Sequence, residues 1–219
     1  MRISPDVKEK VPDLKVGIIE YQSIVVSDSP QMLKGRLQLF QESIFFDLET
    51  RQLSDIEGLV EWKKTFKQIG TDPNRYRPSV EALYRRIKKQ NYIPSIHSAA
   101  DINNFFSLQY EVPIGIYDLS KIEGEIELRI GSEDDEYTGI NGRIIHMDKK
   151  LLTSDKIGAF GSPYVDSERT AVTKDTRDAV QIVYFRPSMT FSESEQLLHS
   201  LKEMFIQIHG GTAQASIIT

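Results

Sequence analysis

The stretch Gly124-Glu-Ile-Glu-Leu-Arg-Ile130 alternates apolar and charged residues with a period of two, which is typical of a half-exposed β-strand. Before this stretch, apolar residues with helical spacing predict three helices, within 56–69, 79–89 and 98–108. After it, more short strands are predicted around 137–140, 142–147 and 178–185. This order of elements does not alternate as a doubly wound parallel sheet requires. The sequence therefore predicts an α+β fold with mixed or antiparallel sheets.

The two ends of the chain extend this pattern. Leu14–Ser27 is rich in β-branched residues and predicts a strand or a bent pair, and a helix is expected to begin at Ser29-Pro30. Near the C-terminus, Ser192-Glu-Ser-Glu195 resembles a capping box, and Gly210-Gly211 is expected to end the helix that it opens. No repeat, low-complexity stretch or linker divides the chain, so we expect a single domain over residues 1–219.

Composition limits the class of protein. Of the 219 residues, 39% are hydrophobic and 27% are charged, which is ordinary for a soluble globular protein. The absence of cysteine excludes disulfides, thiolate metal sites and a cysteine nucleophile. No apolar run is long enough to span a membrane, and Met1–Lys10 does not resemble a signal peptide. We therefore expect a cytoplasmic protein without a membrane partner.

Charge is unevenly distributed along the chain. The net charge of −5 argues against indiscriminate binding of nucleic acid, DNA included. Between Trp62 and Gln90, however, nine Lys and Arg residues face only two acidic residues. This segment is either a polyanion-binding surface or a pair of ordinary solvated helices. The candidate RNA-binding residues are Arg75, Arg77, Arg85, Arg86 and Lys89.

Few residues carry a recognisable chemical motif. His97 and Asp101 are spaced to share a metal ion, but capping and surface histidines are far commoner, so no metal or cofactor is predicted. Asn104 borders the apolar face of its predicted helix, where its amide is either satisfied by backbone or lines a pocket. The segment 158–177 is long, polar and dense in hydroxyl groups, so it is either a functional loop or a solvated one. Its Arg169 and Arg177 could hold phosphates.

Three groups of residues together resemble a known family. The first is Trp62-Lys63…Gly70-Thr-Asp72-Pro73…Tyr76-Arg77-Pro78-Ser79, the second is Asp101-Ile-Asn103-Asn104-Phe105…Pro113-Ile-Gly115…Tyr117-Asp118-Leu119, and the third is Asp166-Ser167-Glu168-Arg169-Thr170. They resemble free-standing relatives of the tRNA-editing module (B-three/B-four) in the beta subunit of phenylalanyl-tRNA synthetase. The similarity extends over about residues 14–185, and the last helix matches weakly.

The resemblance implies a three-layer fold with an unusual β-sandwich and helices outside. It also implies a substrate, misacylated tRNA, and a reaction, hydrolysis of the aminoacyl ester without aminoacylation. The catalytic residues that it implies are Asn104, Ser167 and Thr170. The substrate-binding residues that it implies are Asn103, Gly115, Gly161, Ser162 and Gln181.

Three positions depart from the family pattern. Asn103 stands where the family has a threonine, so the hydroxyl of its Thr-Asn pair is missing. Gly115 stands where the synthetase module has a histidine, and Gln181 stands where it has the glutamate that recognises the tyrosine hydroxyl. We therefore expect empty volume at Gly115 and a pocket that does not select tyrosine. Two alternatives to a deacylase remain open: a non-catalytic RNA-binding module of the same fold, and a protein that binds a small molecule or another protein. A monomer is expected.

Overall fold

The computed structural model describes residues 1–219 and contains six α-helices and ten β-strands. The helices are α1 (Pro5–Lys10), α2 (Gln31–Thr50), α3 (Glu57–Ile69), α4 (Ser79–Lys88), α5 (Ser98–Tyr110) and α6 (Phe191–His209). The strands are β1 (Arg2–Ile3), β2 (Val16–Gln22), β3 (Ile114–Asp118), β4 (Glu127–Ile130), β5 (Glu136–Thr138), β6 (Ile144–His146), β7 (Leu151–Ser154), β8 (Ala159–Gly161), β9 (Ala179–Tyr184) and β10 (Thr212–Ile218).

The strands form two four-stranded sheets and a hairpin. The first sheet has the order β10-β2-β9-β3 and is antiparallel throughout. The second has the order β1-β4-β7-β8 and is antiparallel except for the β1–β4 pair. Strands β5 and β6 form the separate hairpin. The predicted α+β class with mixed or antiparallel sheets is confirmed.

The two faces of the first sheet bury different cores. Its register places Ile116 of β3 opposite Gln181 of β9, and Gln181 opposite Ile19 of β2, so these side chains share one face. The core on that side joins the sheet to helices α2, α4, α5 and α6. On the opposite face, Tyr117 and Tyr184 pack against Phe160 of the second sheet and Trp62 of α3. The helices and the two sheets thus form the three-layer arrangement that the resemblance implied.

The predicted helices in the middle of the chain and near its C-terminus are confirmed, and the structure shows which residues cap α5 and α6. Helix α5 is capped by His97, whose Nδ1 accepts a hydrogen bond from the Ala100 amide at 3.2 Å. Ser98, the first residue of α5, is buried, with its Oγ 2.7 Å from Nε2 of His209. The capping box of α6 is Thr190 with Glu193, so the expected Ser192–Glu195 box is wrong. Both pairs have the spacing of a capping box, and the helix begins at the earlier one.

Several elements were not predicted from the sequence. Strands β7 and β8 are buried at every position, so no alternation of polar and apolar residues marks them. Strand β10 follows the predicted stop at Gly210-Gly211 and forms an exposed edge of the first sheet. None of the six helices has the length and apolar character that crossing a membrane requires.

Candidate functional site

A cleft of about 860 Å³ opens where five segments meet. Its lining comes from α4 and α5 with the loops that precede them, from β3, from the turn between β5 and β6, and from the loop that follows β8. The volume is in the range of pockets that hold small molecules. The cleft is therefore the natural place to test the residues predicted from the sequence.

One face of α5 forms part of the cleft. Ala100, Asn103, Asn104 and Ser107 all line it, and their spacing of three and four residues is that of one helical face. The Asn104 side chain is partly exposed and has no hydrogen-bond partner within the protein. By contrast, the side-chain Oδ1 of Asn103 accepts a hydrogen bond from Nε2 of Gln181. Asn104 thus offers a free donor and a free acceptor to anything in the cleft.

Gln181 lies behind the cleft and does not line it. Its side chain is fully buried in β9, where its Oε1 accepts a hydrogen bond from the Tyr21 hydroxyl at 2.7 Å. Both ends of its amide are therefore occupied, one by Tyr21 and the other by Asn103. Asn103 joins the Gln181 side chain to the cleft by a hydrogen bond.

The loop after β8 is held by hydroxyl groups of the loop itself and of the β5–β6 hairpin. Ser162, which lines the cleft, accepts hydrogen bonds from the amides of Tyr164 at 3.2 Å and Val165 at 3.0 Å. Tyr137 of the hairpin donates its hydroxyl to the Val165 carbonyl at 2.6 Å. These bonds fix the backbone that leads to Asp166.

Ser167 and Thr170, predicted as catalytic, do not reach the cleft. Both are buried, and their hydroxyl oxygens lie 3.1 Å apart in a mutual hydrogen bond. The Ser167 amide also donates to the Phe160 carbonyl at 2.9 Å, which ties the loop to β8. Arg169 forms a two-pronged ion pair with Asp155, at 3.0 and 2.9 Å, rather than facing the cleft. In this structure these residues support the loop.

Gly115 and Gly161 enclose one tyrosine hydroxyl. A Cβ atom at Gly115 would lie 2.1 Å from Oη of Tyr117, and a Cβ atom at Gly161 would lie 2.3 Å from the same oxygen. Gly115 also faces away from Gln181, because neighbouring residues of a strand point to opposite faces and Gln181 pairs with Ile116. The empty volume expected at Gly115 is therefore wrong, since the Tyr117 hydroxyl occupies it.

Asp166 is the cleft residue that sequence reasoning missed. It lines the cleft, and its Oδ1 accepts a hydrogen bond from the Tyr117 hydroxyl at 2.6 Å. Burial raises the pKa of this carboxyl group to about 7, although hydrogen bonds from Tyr117 and the Ser162 backbone act in the opposite direction. A carboxyl group that titrates near neutrality in a cleft is a candidate functional group.

Four arginines give the cleft a cationic side. Arg75, Arg77, Arg85 and Arg86 all line it, while Lys89 does not. The buried carboxylate of Glu81 lies 2.7 Å from Nε of Arg85 and 3.9 Å from Nε of Arg77. Arg75 and Arg86 have no carboxylate within 4.0 Å, so no carboxylate neutralises their charges, although Nη2 of Arg86 donates to the Tyr92 carbonyl at 3.4 Å.

The predicted His97–Asp101 pair is part of the helix start. His97 caps α5, and burial lowers the pKa of its imidazole. Oδ2 of Asp101 accepts a hydrogen bond from the Ser29 hydroxyl at 2.6 Å, and its Oδ1 accepts one from the Ile96 amide at 3.0 Å. No group of three or more His, Cys, Asp and Glu side chains is arranged to hold a metal ion.

Residues 61–203 match the family model described as the B3/4 domain. The "Uncharacterized protein YhzB" of Bacillus subtilis is 35% identical over 212 residues, which are 97% of this chain and 96% of that protein. The phenylalanine–tRNA ligase beta subunit of Fusobacterium nucleatum is 25% identical over 126 residues, which are 56% of this chain and 16% of that subunit. An N-terminal fragment of the phenylalanyl-tRNA synthetase beta subunit from Pyrococcus horikoshii aligns with a TM-score of 0.46 and 14% identity, over 99% of this chain and 49% of the fragment.

Proposed function

This chain belongs to the B3/4 domain family, and from that premise we propose that it hydrolyses the ester of misacylated tRNA in trans. The observation that carries the proposal is the cleft, where the free amide of Asn104 and the carboxyl group of Asp166 share one space with four arginines. The similarity to the phenylalanine–tRNA ligase beta subunit supports a substrate from the tRNA pathway. The matched part is a small share of that subunit, so no aminoacylation is proposed for this chain.

The proposed reaction needs little from the protein beyond positioning. A water molecule attacks the ester carbonyl carbon, and the bond between that carbon and the ribose oxygen breaks. The proton that the water loses is transferred to the ribose oxygen. Because the ester is already activated, an oriented carbonyl and a positioned water are sufficient. The Asn104 amide can donate to the developing oxyanion, and the neighbouring hydroxyl of the terminal ribose can assist the proton transfer.

The other predicted residues are proposed to act behind the substrate. Asn103 and Gln181 hold each other through a buried hydrogen bond, and this contact fixes the face of α5 that presents Asn104. Ser162, Ser167 and Thr170 shape the loop that presents Asp166. Gly161 leaves room for the Tyr117 hydroxyl that orients this carboxyl group.

We further propose that the cleft does not select tyrosine. Gln181 already uses its carbonyl and its amide on Tyr21 and Asn103, and the space beside Gly115 is filled by Tyr117. Neither position offers a free polar group to a phenol hydroxyl. Without a hydrogen bond to that hydroxyl from these two positions, the site is expected to discriminate only weakly between tyrosine and phenylalanine.

Hydrolysis of a panel of mischarged tRNAs tests the function directly. The wild-type protein is expected to release amino acid from at least one member faster than buffer does. Asn104→Ala should slow that reaction by roughly a hundredfold to a thousandfold, because removing one oxyanion donor has a cost of that size. Asn91→Ala removes the same amide from an exposed position outside the cleft and should leave the rate unchanged.

Two outcomes would contradict the proposed hydrolysis. The first is the absence of ester loss above buffer across the whole panel. The second is an Asn104→Ala variant that hydrolyses the best substrate as fast as the wild type.

A non-catalytic tRNA-binding module is the second candidate. The burial and mutual hydrogen bond of Ser167 and Thr170 favour it, because these hydroxyl groups are unavailable to a substrate. In this case tRNA should bind through the arginines with a steep dependence on salt, and the ester should survive. The same panel separates the two candidates when bound and hydrolysed fractions are measured together.

A further inference from the structure

The Asp166 carboxyl group is held in a fixed orientation at the cleft. The Tyr117 hydroxyl donates to its Oδ1 at 2.6 Å, and the Tyr117 ring packs edge-on against Phe160 with the ring centroids 4.9 Å apart. Gly115 and Gly161 provide the space that the Tyr117 hydroxyl occupies, since a Cβ atom at either position would overlap it. On the loop side, Tyr137 fixes the preceding residue by donating to the Val165 carbonyl. The carboxyl group is therefore preorganised rather than free to rotate towards a distant partner.

This carboxyl group has no cationic partner in the protein. No lysine, arginine or histidine side chain lies within 4.0 Å of the Asp166 carboxyl group. Of the four arginines in the same cleft, Arg77 and Arg85 lie within that distance of Glu81 instead. Burial without a counter-ion raises the pKa of Asp166 to about 7, so a cation that entered the cleft would stabilise the ionised form. The cleft therefore has arginines on one side and, in Asp166, a carboxyl group without a cationic partner.

We propose that Asp166 binds the free α-ammonium group of the aminoacyl ester, so that this chain accepts unblocked aminoacyl-tRNA and rejects N-acylated forms. The proposal rests on the proposed function, because it assigns the substrate class at the same cleft. An unblocked aminoacyl-tRNA end carries phosphodiesters and one ammonium group, which matches the arginines and Asp166. Ile96, Ile114 and Val172 supply apolar lining for the side chain of the amino acid. N-acylation removes the positive charge and adds bulk, so it removes the group that Asp166 would bind.

Binding of a matched pair of non-hydrolysable analogues tests this assignment. The pair is the aminoacyl amide of 3′-amino-3′-deoxyadenosine with its α-amine free, and the same compound with the amine acetylated. The wild-type protein is expected to bind the free amine roughly tenfold to a hundredfold more tightly, as one charge-assisted hydrogen bond predicts. Asp166→Asn should abolish this ratio. Asp175→Asn makes the same change at an exposed position of the same loop, outside the cleft, and should preserve it.

The binding ratio also separates this proposal from the proposed hydrolysis. Equal binding of the two analogues by the wild type, or no binding of the free amine, would overturn the ammonium site whether or not any ester is hydrolysed. A clear ratio that Asp166→Asn abolishes would support the site even if no ester in the panel were cleaved. If Asp166 acted instead as a general base, Asp166→Asn would slow hydrolysis and leave the binding ratio intact, which would also overturn the proposal.

Discussion

At the scale of single residues, Gly115 has a structural role that the sequence did not reveal. The position faces the Tyr117 hydroxyl, and a Cβ atom there would lie 2.1 Å from it. Tyr117 cannot yield easily, because it is fully buried and packs against Phe160. Gly115, where the family has a histidine, is therefore needed for packing, because it leaves the space in which the Tyr117 hydroxyl reaches Asp166.

Gly115→Ala is expected to destabilise the protein. Overpacking of a buried site costs about 1–3 kcal/mol, and the added methyl group must displace the Tyr117 hydroxyl. Gly35→Ala is the matched control, since nothing lies within 4 Å of a Cβ atom at that helical position. The control should gain roughly 0.5–1 kcal/mol, because alanine favours a helix more than glycine does. Denaturant unfolding of both variants measures the two effects, and a Gly115→Ala variant as stable as the wild type would refute the packing role.

The Asp166 carboxyl group makes stability depend on pH around neutrality. Its pKa is raised to about 7 in the folded state, so the folded protein holds this proton more tightly than the unfolded chain does. The stabilisation that the Asp166 carboxyl group contributes is therefore complete at acidic pH, below its pKa in the unfolded chain near 4. It is lost as the pH rises through its folded pKa of about 7. One such group contributes at most about 1.4 kcal/mol per pH unit, and the partial exposure of Asp166 makes the expected slope smaller.

Unfolding free energies between pH 5 and pH 8 test this linkage. Asp166→Asn should lose less stability than the wild type over this interval, because asparagine does not ionise. Asp175→Asn should follow the wild-type curve, since its side chain is exposed and has no hydrogen bond. Only the difference between the three curves counts, because all other groups are the same in the three proteins. Parallel curves for Asp166→Asn and the wild type would show that Asp166 does not titrate in this range.

At the scale of elements, helix α5 and strand β9 are joined by a buried polar contact. Gln181 donates to Asn103 of α5 and accepts from Tyr21 of β2, so one side chain links a helix to two strands. Buried polar groups that lose their partner cost about 1–3 kcal/mol. The contact therefore sets the position of the α5 face that presents Asn104 to the cleft.

A double-mutant cycle of Gln181→Ala and Asn103→Ala measures this contact. Each single change should destabilise the protein, and the double variant should lose less than the sum, with a coupling of roughly 0.5–3 kcal/mol. Asn103→Ala combined with Ser132→Ala is the control pair, because Ser132 bonds only to Asp135 in a turn of the other sheet. The control pair should be additive, and additivity in the Gln181 cycle as well would contradict the proposed link.

Elements with a repeating apolar pattern could be predicted from the sequence, while contacts between distant elements could not. Helices α3 and α4 bury one face each, so their apolar residues recur at helical spacing, whereas α5 is buried over most of its surface. The α5 stripe Ala100, Asn103, Asn104 and Ser107 was visible as a small, polar face of the same helix, which could have marked the cleft. Asp166 gave no such signal, because the hydroxyl that orients it belongs to Tyr117, 49 residues earlier.

At the scale of the whole molecule, charge is separated although the net charge is −5. The buried Glu81 carboxylate lies near Lys63, Arg77 and Arg85, so it compensates part of the basic segment from within. Arg75 and Arg86 have no such compensation and line the cleft. A polyanion that enters the cleft should therefore be attracted more strongly by these two arginines than by Arg85, whose charge Glu81 partly neutralises.

The dependence of tRNA binding on salt distinguishes these arginines. Replacing Arg75 and Arg86 together with alanine should reduce the affinity and lower the slope of log affinity against log salt by about two, one unit for each lost phosphate contact. Arg85→Ala should lower the slope by less than about one, because Nε of Arg85 is already bonded to Glu81. Lys202→Ala is the control, since this lysine lies on α6 outside the cleft and pairs with Glu203. If the double variant kept the wild-type affinity and slope, the arginines would be ordinary solvated side chains, and tRNA would have to bind elsewhere on the molecule.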